Sequence, residues 1–489
     1  AAPPRLPATL SRLVARLPRL PATSGASVSG GVTRFHSRPD LLAPQVVIDR
    51  PMQSGHAGVV VTESHSGPPQ SGPLIVDATG RIVWFNPLAA APSSPLRAFN
   101  VSVQSYRGRP VLCWFQGVVA GGHGVGYGQG HYEIVDSGYQ RVARVFAQDG
   151  YQGDLHEFFL TPEGSAIFSC YGRARARLRI GGGVRSVPYL FGVVQEVDVA
   201  SGRLLWQWRS DRHVALSESY AKPVLEPGWI WDYMHLNSIA IDPSDGNLLI
   251  SGRNTSTCYK VNRRSGKVMW RLGGRHSDFQ MGPGTRFHYQ HDVNLHPGGV
   301  LTLFDNEGGP PRYAAQSRAL VLAIDQRRRR ARLLHAFHHD PPVYSNALGS
   351  VQPLGGGQWF VGWGRATSFS IYSGDGQVLF DGHLSPGSSS YRAFLEPWAG
   401  TLAGAPAVAA SAGAGAAATV YASWNGATAI ADWMVLGGSS PGSLTPLGTA
   451  PPAGFETAIS LPSVPAYVAV AARDAGGRVL GTSAAASVS

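Results

Sequence analysis

The chain has 489 residues, too many for one ordinary globular domain, and its 43% hydrophobic residues, with 12 Trp, 17 Tyr and 18 Phe, suffice for a large core. The net charge is +11, but only Lys222, Lys260 and Lys267 are lysines among 41 basic residues and the arginines are scattered, so no nucleic-acid-binding face is expected. Sixty-one Gly and 36 Pro favour an all-β chain over a helical one, and no apolar run approaches the roughly 18–20 residues of a membrane-spanning helix.

Residues 1–30 mix Pro, Ala, Arg, Ser and Gly and read as a loosely held arm, so that 1–49 is taken as an N-terminal arm and lead-in strand. From Pro73 onward six segments repeat one pattern: an alternating apolar strand, an Asp or substitute, a turn often holding Gly, and a second apolar strand. They are 73–84, 132–143, 194–206, 258–270, 321–333 and 369–380. Each reads as a β-hairpin whose turn tolerates positive φ through Gly in most copies. Their starts lie roughly 50–65 residues apart, a period that fits propeller blades with inserts. Shorter Pro/Gly hairpins alternate with them, giving four strands per unit, and six such sheets closing radially leave no long exposed edge.

The expected fold is therefore all-β: a six-bladed β-propeller over 50–398, an Ala/Gly/Pro linker over 399–419, and a small fibronectin-III-like β-sandwich over 420–489. Cys113, Cys170 and Cys258 lie in apolar strand-like runs without Cys-x-x-Cys spacing and read as buried thiols. The Gly-rich run 121–130, with His123 and next to His131, reads as a flexible loop.

The inner hairpins carry the chemistry. His156 stands in Asp-Leu-His-Glu-Phe-Phe-Leu-Thr-Pro-Glu-Gly, His235 and Asn237 in His-Leu-Asn-Ser-Ile-Ala-Ile-Asp-Pro-Ser-Asp-Gly, and His291 in Gln-His-Asp-Val-Asn-Leu-His-Pro-Gly-Gly. A weaker fourth copy has Gly349 in that place. Polar residues that recur at one point of a repeated unit converge if the units form a ring, and Arg253, at the end of the strand after His235, joins them. Three imidazoles, an amide and a guanidinium with no obvious neighbouring carboxylate describe an anion site. A neutral histidine there can attack an electrophile and hold the transferred group on nitrogen. For a sulfuryl or phosphoryl group, Arg and a second His stabilise the equatorial oxygens, and a protonated His donates to the leaving oxygen. Asp305 and Asn306 read as turn formers. Two other readings stay open: a propeller that only binds, with the small β domain as an adhesion or carbohydrate module, and a metal-dependent lyase or hydrolase using the three histidines. Arg253 beside them argues against a bound cation, so neither metal nor cofactor is expected.

These residues, together with Gly-His-Tyr-Glu-Ile-Val-Asp-Ser-Gly-Tyr and Ser-Gly-Arg-Asn, resemble the arylsulfotransferase family in its actinobacterial and fungal branch, over roughly residues 33–398. The resemblance implies a six-bladed propeller and ping-pong transfer of sulfate from an aryl sulfate donor to a phenolic acceptor, without a nucleotide donor. By motif, His291 matches the histidine that is sulfated, and His235 with Asn237 the His-x-Asn pair that contacts the sulfuryl group. Arg253, 18 positions after His235, matches the oxyanion-binding arginine, and His156 the first channel histidine. An extracellular or cell-envelope location is also implied by the resemblance.

Overall fold

A computed structural model of the chain describes residues 17–489 apart from 54, 68–69, 89–94, 122–125, 310, 403 and 414–416. Residues 1–16 of the expected arm, and His123, lie outside the described residues.

The described chain is all-β, with only four one-turn 3-10 helices. Six antiparallel sheets follow one another. Sheet I holds Val59–Ser64, Gly72–Val76 and Ile82–Phe85, with Phe394–Glu396 on its inner edge. Sheet II runs from Arg97–Tyr106 through Arg109–Ala120 and Tyr127–Val135 to Arg141–Val145. Sheet III holds Gly153–Leu160, Ser165–Ile180, Gly183–Asp198 and Leu204–Arg209, and touches sheet II through the Gly130–Gly153 pair. Sheet IV holds Leu236–Ile241, Leu248–Gly252, Thr257–Val261 and Val268–Gly273. Sheet V holds His291–His296, Val300–Asp305, Arg318–Asp325 and Arg330–Phe337. Sheet VI holds Ser350–Gly355, Gln358–Gly362, Ser368–Tyr372 and Val378–Leu384, with Val46–Arg50 added outside. The six repeated segments of the sequence are the outer strand pairs of these sheets. Apolar residues of neighbouring sheets pack together: Phe168 and Val194 of sheet III fall in one cluster with Tyr259 of sheet IV, and Leu272 of sheet IV in the next with Leu303 and Leu322 of sheet V.

The inner strands of neighbouring sheets touch in order from I to VI, and Ser350–Gly355 of sheet VI touches Phe394–Glu396 of sheet I. Sheet I thus takes its inner strand from far along the chain, and this pairing ties the last sheet to the first.

Residues 418–489 form two further antiparallel sheets, together with Ala407–Ala412, around one apolar cluster that includes Val420, Trp433, Ile459 and Val470. The N-terminal segment differs from the expected loose arm. Ala22–Ser24 is a strand on the edge of Glu456–Leu461, Leu20 is buried in the same cluster, and Leu20 N–H donates to the Thr449 carbonyl at 2.7 Å. An apolar residue and an open strand edge gave the segment a partner that its composition does not advertise. The Gly-rich run is likewise strand from Tyr127 on, and His131 Nε2 lies 3.0 Å from Glu133. No described helix is long and apolar enough to cross a membrane.

Candidate functional site

Each of the three histidines lies in or beside the first half of an inner strand, next to a break in its pairing register. The breaks lie between Gly153 and Phe158, Leu236 and Ser238, and His291 and Asn294. A bulge re-aims side chains that strict alternation would send to opposite faces. His235 takes the left-handed backbone at φ +53, as does Asp292 at φ +52, conformations that side chains with a Cβ adopt only when neighbours enforce them. In sheet VI the corresponding Gly349 has φ +114, and a Cβ there would strike the Phe304 ring at 2.5 Å. A histidine at the fourth position is therefore excluded by both backbone and space.

The three imidazoles converge. His156 Nε2 lies 3.2 Å from His235 Nε2, with the rings edge to face at 4.7 Å. His291 is close enough to both, and to Arg253, for their charge to act on it. His156, His235 and His291 are 3%, 2% and 1% exposed, so all three are buried.

The structure corrects the expectation of an anion site without carboxylates. Asp154 Oδ2 accepts from His156 Nδ1 at 2.7 Å, and Asp232 Oδ2 accepts from His235 Nδ1. Burial opposes ionisation of Asp154, but His156, the Gly128 N–H and the Ser169 hydroxyl hold its carboxyl below the ordinary range. Burial likewise opposes ionisation of Asp232, and His235 and Arg253 outweigh it. With both carboxylates ionised, both Nδ1 atoms carry protons. The two Nε2 atoms face each other at hydrogen-bond distance, a contact that is attractive only with a proton between them. Burial and then Arg253 push His235 down to about 4, so its Nε2 is set up as a hydrogen-bond acceptor.

His291 is set up differently. Its Nδ1–H donates to the Asn306 amide oxygen at 2.7 Å, and Asn306 Nδ2 is anchored on the Ser345 and Leu348 carbonyls, which orients that oxygen. Asn306 thus fixes a tautomer rather than forming a turn. The Nε2 of His291 is left as a buried lone pair with no partner. Burial first, then Arg253, pulls this imidazole well below its ordinary value, so it stays neutral.

Arg253 is half-buried, its guanidinium 5.4 Å from the Tyr289 ring centre and its Nε donating to Asn254 Oδ1. Its backbone N–H donates to the His235 carbonyl, which ties it to the same bulge. Asn237 is fully buried. Its Nδ2 donates to the Gln290 carbonyl at 2.7 Å, and its Oδ1 has no partner. It therefore positions the residue before His291.

Beneath the histidines lies a buried ion cluster. Arg392 donates to both Glu157 oxygens at 3.0 Å and to Asn100 Oδ1 at 3.1 Å, with Asp292 Oδ1 at 3.6 Å. Tyr391 donates its hydroxyl proton to the His156 and Asn237 carbonyls at 3.1 and 3.3 Å. On the far side of this cluster is a cavity of about 330 Å³ lined by Ser102, Gln104, Asn294 and His296. Glu157, Asp292 and Arg392 line it as well, so they stand between it and the imidazoles. Among the described residues, no group of three or more His, Cys, Asp or Glu is placed to hold a metal ion.

A family model described as arylsulfotransferase (ASST) matches residues 102–384, more than half of the chain and all three histidines. The chain belongs to the arylsulfotransferase family. Membership brings with it aryl sulfates and phenols as the substrate classes and makes a sulfotransferase the indicated kind of enzyme. No curated protein matches the chain. Similar solved structures include a protein of unknown function from Bacteroides caccae, at 11% identity and TM-score 0.41 over 69% of this chain and 98% of that one. The periplasmic gluconolactonase of Pseudomonas aeruginosa follows at 12% identity and TM-score 0.34, over 68% and 98%. The β-propeller domain of Cps50 from Myceliophteria thermophila matches at 10% identity and TM-score 0.31, over 62% and 89%. At these scores the structural likenesses carry no argument about mechanism.

Removing the amide that orients His291 gives a first expected result for an arylsulfotransferase in which that ring is the nucleophile. Asn306→Leu frees His291 Nδ1 and lets the proton move to Nε2, so the donor reaction should slow by roughly 10- to 1,000-fold. Single-turnover kinetics with an aryl sulfate check this, and an unchanged rate would show that the amide is not needed for the tautomer.

Proposed function

We propose that the chain is a six-bladed β-propeller enzyme that moves a sulfuryl group from an aryl sulfate to a phenol through a sulfohistidine at His291. Four-stranded sheets whose inner strands touch in a ring support the propeller over about 50–398, and the two sheets of 418–489 support a small sandwich of the fibronectin-III kind. The observation that carries the reaction is the partnerless Nε2 of His291, on a ring whose other nitrogen is held as N–H by a neutral amide.

In the first half-reaction the Nε2 lone pair attacks sulfur, the bond from sulfur to the aryl oxygen breaks, and the phenolate leaves with the electron pair. Arg253 faces the charge on the sulfuryl oxygens. The proton held between His156 and His235 passes to the departing oxygen. The adduct keeps its Nδ1–H on Asn306, so the imidazole bears positive charge and is a good leaving group. In the second half an acceptor phenol attacks sulfur, the sulfur–nitrogen bond breaks, and the phenol proton returns to the His156–His235 pair. Asp154 and Asp232 orient that pair and offset its charge in both steps. A metal-ligand role is disfavoured, because His156 and His235 spend one nitrogen on a carboxylate and the other on each other.

Intact mass spectrometry after adding an aryl sulfate without acceptor tests the reading. One SO3 adduct mapping to His291 is expected, and an adduct elsewhere, or none despite turnover, sinks it. A second expectation concerns pH. His291 stays neutral to well below its ordinary value and His235 to about 4. The acid limb of the pH profile of kcat/KM for the donor should therefore lie well below the about 6.5 of an unperturbed histidine, because His291 loses its lone pair only in stronger acid.

A further inference from the structure

Four of the arginines that read as scattered along the chain are ordered in space. The second strand of sheet III runs past the beginning of the first as Tyr171-Gly172-Arg173-Ala174-Arg175-Ala176-Arg177-Leu178-Arg179, paired throughout with its hairpin partner. Alternation puts Tyr171 and the four arginines on one face, and the arginines are exposed. Ala174, Ala176 and Leu178 take the other face, half-buried against the apolar cluster. The inner end of the arginine face meets the histidines. The Tyr171 ring lies 6.1 Å from that of His156 and 6.0 Å from that of His235. Tyr127, 5.5 Å from Tyr171, accepts a hydrogen bond from Arg173 Nη2. Arg175 is steadied by Ser186, whose hydroxyl and carbonyl accept its Nε–H and Nη2–H at 2.9 Å. From Tyr171 to Arg179 the track is about 26 Å long, with an arginine every 7 Å or so. Among the described residues, no carboxylate pairs with Arg173, Arg175, Arg177 or Arg179.

A hairpin edge guarded against pairing needs only a charge or two of either sign. Four of one sign, evenly spaced, without counter-charges and leading to an anion-handling site, describe a surface for an extended anion. The geometry points to a cationic track that holds an extended, multiply sulfated aryl substrate while one of its sulfate esters reaches His291. This rests on the sulfuryl-transfer reading for the reacting end and on the hairpin alone for the rest. Guanidinium groups suit sulfate because their planar fork donates two parallel hydrogen bonds, and an exposed track of this kind weakens as salt is added.

The test compares 4-nitrophenyl sulfate, whose single sulfate is the one transferred, with a linear oligophenol carrying four sulfate esters. Wild-type protein should prefer the tetrasulfate by roughly 10-fold or more in kcat/KM at low salt, and the preference should shrink as NaCl is raised. The triple variant Arg175→Gln, Arg177→Gln, Arg179→Gln should lose the preference through KM and keep its rate on 4-nitrophenyl sulfate. A triple variant that keeps the preference, or a wild type that has none, overturns the track. If wild-type protein turns over neither ester, the transfer reading fails by itself. Equilibrium binding of the tetrasulfate then decides the track: salt-sensitive affinity lost in the triple variant supports it, and absence of binding overturns it. Equal affinity for a single-stranded DNA oligomer of matching charge would also overturn it, because the surface would then read charge alone.

Discussion

His291→Ala should lower aryl-sulfate turnover by at least about 10,000-fold, because the proposed reaction forms its covalent bond at His291 Nε2, the one unpartnered nitrogen among the three imidazoles. The variant should keep its fold. His291 stands at the first pair of its strand, opposite Phe304, and its ring makes one hydrogen bond, to an amide that the Ser345 and Leu348 carbonyls hold in place without it. The SO3 adduct should vanish in the same protein. Residual turnover within about 100-fold of wild type would mean that donor and acceptor react directly, with His291 only stabilising charge.

The second large effect is on stability. Arg392 is buried between Glu157, Asn100 and Asp292, and burial is outweighed by these partners so that its charge is held firmly. Arg392→Met leaves two carboxylates without their counter-charge and should destabilise the fold by about 3–5 kcal/mol, measured by denaturant unfolding. Replacing Arg392 and Glu157 together by apolar residues should cost less, since the remaining penalty then falls on Asp292 and on the Asn100 amide, which loses both partners. A single variant as stable as wild type would show that water already reaches the cluster.

How much of this was legible beforehand follows from sequence distance. The histidines were readable because the same local pattern, a polar residue before an apolar run and a Pro/Gly turn, is written out for each strand. Their carboxylate partners were equally local, at Asp154 two positions before His156 and Asp232 three before His235, yet nothing in a period-2 pattern distinguishes a bulge that folds such a residue back. Asn306 required the register of the sheet V hairpin, in which His291 pairs with Phe304 and the amide follows two positions later. The Arg173–Arg179 face was visible as an alternation, but its closeness to the histidines depends on Tyr171 standing at the mouth of sheet III. Tyr391 and Arg392 carried no local signal at all. They matter because the chain returns to sheet I, a pairing between residues more than 300 positions apart.

That return has a temporal consequence. Tyr391 and Arg392 immediately precede the strand that fastens sheet VI to sheet I, and their side chains reach the His156 and Asn237 carbonyls and Glu157. A nascent chain that has emerged only as far as sheet VI already contains all three histidines and Arg253 but lacks the tyrosine that holds the His156 carbonyl and the arginine that pairs with Glu157. On the proposed reading, a ribosome-bound fragment ending before Tyr391 should lack the sulfuryl transfer expected of the full chain.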